Sequence, residues 1–375
     1  MNLFKYLPLV LMLCVSNLTW ALSIQNVSHN QNIFNPHKGE VVKIRFTVDK
    51  PSFVTAFIYD ARDILLSKIS SKGIVSGNNL SLSWDGRDQI GRIVPAEAYH
   101  YTLMAYSEDG ESIEYDVTDN TGGETLNIKN IRWDKETKQI QYILPTLSRV
   151  NIRIGLKNRG PLMNSFLNWV PRVGGVHKTT WNGFDQSGFI DLSEHPNQEI
   201  GVLAFSLSHN TFLVGPTINK VQLIKELPWQ IERRFKKKMS KKRMFSHSQQ
   251  AIEQRGDFSI IFNLPNNLPK TKDGIPIITE KVAIKLDLSS DEQSRLFAQR
   301  FESVFYLDGQ FIEESELGYI PMTWFWEPKN SNPGIHYLTA NIRAYEGNFG
   351  TSTVRVFYQP KTIKTLSRNT ETNNK

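Results

Sequence analysis

Apolar and polar residues alternate with a period of two along most of this chain. Val42, Ile44 and Phe46 interleave with Lys43, Arg45 and Thr47, the pattern of a half-buried strand. The same reading gives strands over residues 54–59, 64–69, 80–84, 99–106 and 113–117. Turns fall at Pro51, over residues 60–63, at Gly77-Asn78 and at Asp109-Gly110, where proline, glycine, asparagine and aspartate favour chain reversal. A second series follows, with strands over residues 128–133, 139–144 and 200–205, and with Val150, Ile152 and Ile154 alternating with Asn151 and Arg153. A third contains Val282, Ile284 and Leu286, then strands over residues 304–307, 323–326, 335–345 and 353–357. Residues 289–300 read as a short helix or an insertion. Short strands at this spacing predict an all-β chain of tandem antiparallel sandwiches.

Two stretches set the register. Trp84-Asp85-Gly86-Arg87-Asp88-Gln89-Ile90-Gly91 recurs as Trp181-Asn182-Gly183-Phe184-Asp185-Gln186-Ser187-Gly188, 97 residues later. That interval is about one sandwich domain, so the pattern reads as a duplicated module. Each copy follows a strand, Leu80, Leu82 and Trp84 in the first and Val176, Lys178 and Thr180 more weakly in the second. The tryptophan is expected in the core. The acids and Asn182 are expected to cap loop N–H groups, with Gly86, Gly91, Gly183 and Gly188 supplying positive φ.

The first module also carries Phe34, Pro36, Gly39 and Glu40 before its strands, and Val94-Pro95 and Tyr99-x-Tyr101 after Gly91. With the Trp84 motif, this set resembles the FlgD-type immunoglobulin-like domain of the flagellar hook-capping protein. That domain type also recurs near the ends of secreted bacterial proteins. The resemblance covers residues 33–117 and departs from the family at Ala61-Arg62-Asp63 and Ala96-Glu97-Ala98. It implies a structural or adhesive module rather than a catalyst. The second copy is a degenerate version. The third series, with Asp308-Gly309, Gly334-x-His336-x-Leu338-Thr339-Ala340 and Gly347-Asn348-x-Gly350, resembles bacterial immunoglobulin-like domains of surface proteins.

The expected domains are 22–120, 124–224 and 258–360, with a basic linker over 225–257 and a polar, disordered tail over 361–375. Residues 1–21 read as a signal peptide: Lys5, an apolar run from Leu7 to Val15 too short to span a bilayer, and Thr19-Trp20-Ala21 as a cleavage site. Export to the periplasm, the cell surface or beyond follows from that reading. Cys14 is the only cysteine, so cleavage leaves no thiol for disulfides, metal binding or nucleophilic catalysis.

The chain carries a net charge of +7, and residues 225–243 hold nine basic residues against two acids. The remainder is therefore close to neutral, and the basic character is local. Arg233, Arg234, Lys236, Lys237, Lys238, Lys241, Lys242 and Arg243 form the candidate binding element. Ile231, Phe235 and Met239 recur every fourth residue, which allows a basic amphipathic helix. The segment reads as a solvated spacer or as a contact for an anionic protein, lipid or polysaccharide. Nonspecific polyanion binding would fit the charge, but no nucleic-acid-binding fold accompanies it, so no specific nucleic-acid partner is expected.

Other chemistry is sparse. Asp85, Asp88 and Asp185 could suit a hard cation, but the second copy keeps only one acid, which favours loop capping. The eight histidines match no metal-ligand spacing, and no nucleophile elbow or phosphate loop occurs. No catalytic residue, metal site or cofactor is assigned. Trp324 and Trp326 share one strand face, as core packing or as a contact surface. Arg255-Gly256-Asp257 matches an integrin-type tripeptide. The composite expectation is a non-catalytic adaptor of an envelope or extracellular assembly, binding protein partners through sandwich edges and loops.

Overall fold

A computed structural model describes residues 21–117, 124–216, 256–328, 331–345 and 347–361. The expected signal peptide, the basic cluster over 233–243 and nearly all of the tail lie outside the described residues. Among the described residues the fold is all-β with one α-helix, arranged as three sandwiches with three large apolar cores.

The first sandwich comprises β1 (Ile24–His29), β2 (Ile33–Phe34), β3 (Val42–Tyr59), β4 (Leu65–Ser70), β5 (Val75–Trp84), β6 (Ala98–Ser107) and β7 (Ser112–Tyr115). Two expected strands, with a turn at Pro51, are one continuous strand, β3. Its first half pairs with β1 and β5, and its second half with β4 and β6. The exchange of partners falls at residues 49–51, between register shifts. A proline without an N–H therefore costs no ladder bond there. Val42, Ile44, Phe46, Val54, Ala56 and Ile58 all face one core.

The second sandwich packs a sheet of β9 (Arg132–Asp134), β10 (Gln139–Leu144) and β13 (Gly175–Thr180) against one of β8 (Thr125–Leu126), β11 (Ser148–Leu156), β12 (Leu162–Arg172) and β14 (Gln198–Ser206). The chain then returns to the first sandwich. β15 (Thr211–Val214) pairs antiparallel with β6 and parallel with β2. Phe212 is fully buried there, its ring 5.5 Å from that of Trp84. The expected boundary at 224 thus needs correction, because residues 211–214 complete the first module. The run 211–214 is apolar enough to enter either core, and only pairing with β6 decides which.

The third sandwich packs β16 (Ile261–Asn263), β18 (Val282–Asp287) and β21 (Met322–Trp326) against β17 (Ile277–Ile278), β19 (Phe301–Leu307), β20 (Gln310–Ser315), β22 (Gly334–Ala344) and β23 (Phe349–Tyr358). The residues expected as helix or insertion form α1 (Ser290–Phe297). Ser289 caps it by accepting from Glu292 N, and the S-x-x-E spacing is that of a capping box. Leu296 fixes the helix to the core with no exposed surface. Trp324 and Trp326 are core residues, 4% and 3% exposed. Trp324 stacks on Phe305 at 4.3 Å and its indole N–H donates to Glu313.

Candidate functional site

The two signature loops are one structure built twice. Trp84 Nε1 donates to Arg87 O at 2.8 Å, and Trp181 Nε1 to Phe184 O at 2.9 Å. Asp85 accepts from Arg87 N as Asn182 accepts from Phe184 N. Asp88 Oδ1 takes the N–H groups of Ile90 and Arg92, and Asp185 Oδ1 those of Phe189 and Ile190. A backbone bond from Val94 N to Gly86 O closes the first loop, and one from Leu192 N to Gly183 O the second. The four glycines all have positive φ. Both tryptophans are buried. The carboxylates are thus spent on backbone caps rather than converging, and among the described residues no three His, Asp or Glu side chains form a metal-binding group.

The loops differ in what they face. In the second sandwich, Ser187 Oγ accepts from Thr353 N at 2.8 Å, and Arg355 lies over the Phe189 ring at 5.5 Å. Thr353 and Arg355 belong to the third sandwich. In the first sandwich the counterpart of Ser187 is Ile90, which is 66% exposed.

Two buried ion pairs lie at the joints between sandwiches. At the first joint, Arg149 Nη2 meets Glu97 Oε1 at 2.8 Å, with both side chains under 5% exposed. Arg149 also donates to Trp169 O, and Glu97 accepts from Ala98 N. Ala98, Leu147 and Leu213 form a small apolar cluster alongside.

At the second joint, Asp257 enters from the third sandwich. Its carboxylate accepts from Arg153 Nε at 2.9 Å and Nη2 at 2.5 Å, from Asn151 Nδ2 at 3.2 Å, from Phe349 N at 3.0 Å and from Ser165 Oγ. Arg153 stacks on the Phe349 ring at 4.4 Å and donates to Gly347 O. Asn341 makes a reciprocal pair with the backbone of Leu162 at 2.8 and 2.9 Å, and Thr351 Oγ1 donates to Leu162 O. Arg295 donates to Gly256 O and covers Phe258; burial lowers its pKa, against Glu292 and Asp257, which raise it. The Asp257 carboxylate is met by donors on both oxygens, which is what makes burying its charge tolerable.

Two sequence expectations meet the structure here. Asp257, the acid of the tripeptide at residues 255–257, is not displayed at the surface, since its carboxylate is 4% exposed and held by the joint. The basic segment does not separate the second and third sandwiches, because they touch directly. Its described ends lie along one strand: Pro216 borders Pro171, Arg172 and Val173, and Gly256 borders Asn168. The eight basic candidates themselves lie outside the described residues. Sequence reasoning missed Glu97, Arg149 and Arg153. Arg149 and Arg153 lie on a strand whose alternate positions are buried, Glu97 just before one, and nothing local distinguishes a solvated arginine from one awaiting another domain.

A cleft of about 960 Å³ remains between the hairpin turns at residues 157–160 and 308–309. Lys157, Arg159 and Arg343 line it together with Asp308, Glu314 and Phe311, a mixture without a dominant charge. No helix among the described residues is long and apolar enough to cross a membrane.

No protein-family profile matches this chain, and no curated protein matches it. Solved structures of modular β proteins do. The fibronectin(III)-like modules of Clostridium thermocellum CbhA are 11% identical, with 90% of this chain and 94% of theirs covered, at a TM-score of 0.19. A structure addressing host cell surface retention of a 1.5-MDa bacterial ice-binding adhesin is 9% identical over 91% and 99%, also at 0.19. A tetra-tandem repeat from the extending region of a large adhesion protein is 11% identical over 90% and 74%, at 0.18. At these scores the likeness carries no argument about function.

Proposed function

We propose that this chain is a non-catalytic structural adaptor of a bacterial envelope or extracellular assembly, holding three immunoglobulin-like sandwiches in fixed order and binding protein partners through exposed edges and loops. The observation that supports it is the use of buried charge. The Glu97–Arg149 and Asp257–Arg153 pairs are spent on fixing one sandwich against the next. The return of β15 to the first sheet has the same effect, tying residues 124–206 between two parts of one domain. Such interlocking resists relative motion of the modules, as a spacer or presenter of binding surfaces requires. The resemblance of the first two modules to the hook-capping immunoglobulin-like domain points the same way.

A second reading is attachment to an anionic lipid or polysaccharide surface through the basic segment. It is favoured by where the described ends of that segment lie. Pro216 lies by Pro171 and Arg172, and Gly256 by Asn168, so the described residues that flank it both border β12.

Crosslinking pull-down from the native envelope tests both. The wild type is compared with a variant carrying Lys236, Lys237, Lys238, Lys241, Lys242 and Arg243→Gln. Equal recovery of one protein partner by both is expected of an adaptor. Loss of recovery in the variant makes the basic segment the binding element. Absence of any partner above background overturns the adaptor reading.

A further inference from the structure

The duplicated architecture shows which face of the first sandwich corresponds to the face that seats the third. On the second sandwich that face is carried by β11 and β14, where Arg149, Asn151 and Arg153 pair with Phe205, Leu203 and Gly201. On the first sandwich the equivalent strands are the second half of β3 and β6, where Phe53, Thr55 and Phe57 pair with Tyr106, Met104 and Thr102. Hairpin partners correspond as well, β12 to β4 and the loop at 185–189 to that at 88–92. This face of the first sandwich thus carries Phe53, Phe57, Met104 and Tyr106 where that of the second carries Arg149, Asn151 and Arg153, and Ile90 stands where the second loop has Ser187.

No other part of the described chain covers the far end of this face. Phe53 is 41% and Tyr106 53% exposed, although they are cross-strand neighbours. Ile74, 52% exposed, lies at the same end, next to Val75, which pairs with Ser52. Exposure rises along β6 from the first joint, where Ala98 is buried against Leu147, to Tyr106. Those eight steps place the patch roughly 26 Å from the joint at about 3.3 Å per residue. The patch is at the end of the first sandwich away from that joint, and contiguous exposed aromatics of this kind mark an interaction surface.

We infer that this face pairs with the same face of a second copy of the chain, sheet on sheet about a two-fold axis parallel to the strands. Self-complementarity is the reason. The order across the sheet is β4, β3, β6, β7, so such an axis sets β4 against the partner's β7 and β3 against the partner's β6. Phe53 then meets Tyr106 of the other copy. The two margins carry opposite charges: Lys68 stands opposite Phe57 on β4, and Glu114 opposite Met104 on β7. Each lysine therefore faces a glutamate one strand row away. A heterologous partner would need neither the apolar stripe nor these opposed margins to be self-matching. The inference does not depend on the adaptor reading, which holds for a monomer equally.

Sedimentation equilibrium on the chain lacking residues 1–21, from about 1 to about 200 µM, spans the affinities of weak interfaces. Dimerisation is expected, and Tyr106→Lys with Phe53→Ser should weaken it by about tenfold or more. Both positions are half exposed, so the variant folds, which near-ultraviolet circular dichroism verifies. Ile143→Ser, at an equally exposed apolar site on the opposite sheet of the second sandwich, should change nothing. A monomer throughout, a dimer that survives the double substitution, or one that Ile143→Ser disrupts would overturn the inference.

Discussion

Asp257 offers the sharpest test of how the sandwiches are held together. Its carboxylate takes five donors from four residues, three of them in the second sandwich. Asp257→Ala removes all five hydrogen bonds at once. It deprives the Arg153 guanidinium, whose side chain is 13% exposed, of its counter-charge, leaves Phe349 N without that acceptor and leaves Asn151 Nδ2 only Asn168 Oδ1 at 3.5 Å. Breaking a buried pair by removing one member costs about 3–5 kcal/mol, most of it the desolvation of the charge left behind. Asp257→Asn is little better, because its amide N–H₂ would point at donors. Urea unfolding followed by the fluorescence of Trp324 and Trp326 reads the effect in the third sandwich. With a slope of about 1.5 kcal/mol/M, the midpoint should fall by about 2–3 M. A fall of less than about 0.5 M would mean that the backbone pairing of Asn341 with Leu162 holds the joint and the ion pair is incidental.

Other predictions follow from the same geometry. At the first joint, Glu97→Gln and Arg149→Met should each cost about 3–5 kcal/mol, while Glu97→Leu with Arg149→Met together should recover most of the loss; additive costs in denaturant melts would refute the pairing. Gly91→Ala, at φ +83° with open space around it, should cost about 1–2 kcal/mol, the usual left-handed penalty. Gly86→Ala should cost more, since its Cβ would sit 2.8 Å from that of Pro36, and equal thermal shifts would count against the close approach. Burial lowers the pKa of His336, but the carbonyl of Asn332 and the carboxylate of Asp308 outweigh it and raise the value above 6.5. A raised folded pKa means that this contact stabilises fully below the unfolded value and is lost as pH rises through the folded one. Asp308→Asn should lower the pKa seen in a histidine NMR titration, and an unchanged value would remove Asp308 as a cause.

The sequence by itself determined the sandwiches and their loops. Alternation of period two requires only that each strand have one dry face, and Trp84 and Trp181 mark where a strand ends in a core and a capped loop begins. These are local constraints, so they are written locally. Tertiary structure alone decided which strands belong together and which charges are buried. Residues 211–214 are separated from β6 by the whole second sandwich, and no local pattern says that Phe212 completes the core around Trp84. Pro51 carries a turn signal, yet it sits in a strand because the ladders change partners there. Arg149, Arg153 and Asp257 look like solvated charges in sequence. Whether a charge is buried depends on the surface that arrives from elsewhere in the chain, and the desolvation cost and its compensation exist only once both sides of the joint are in place.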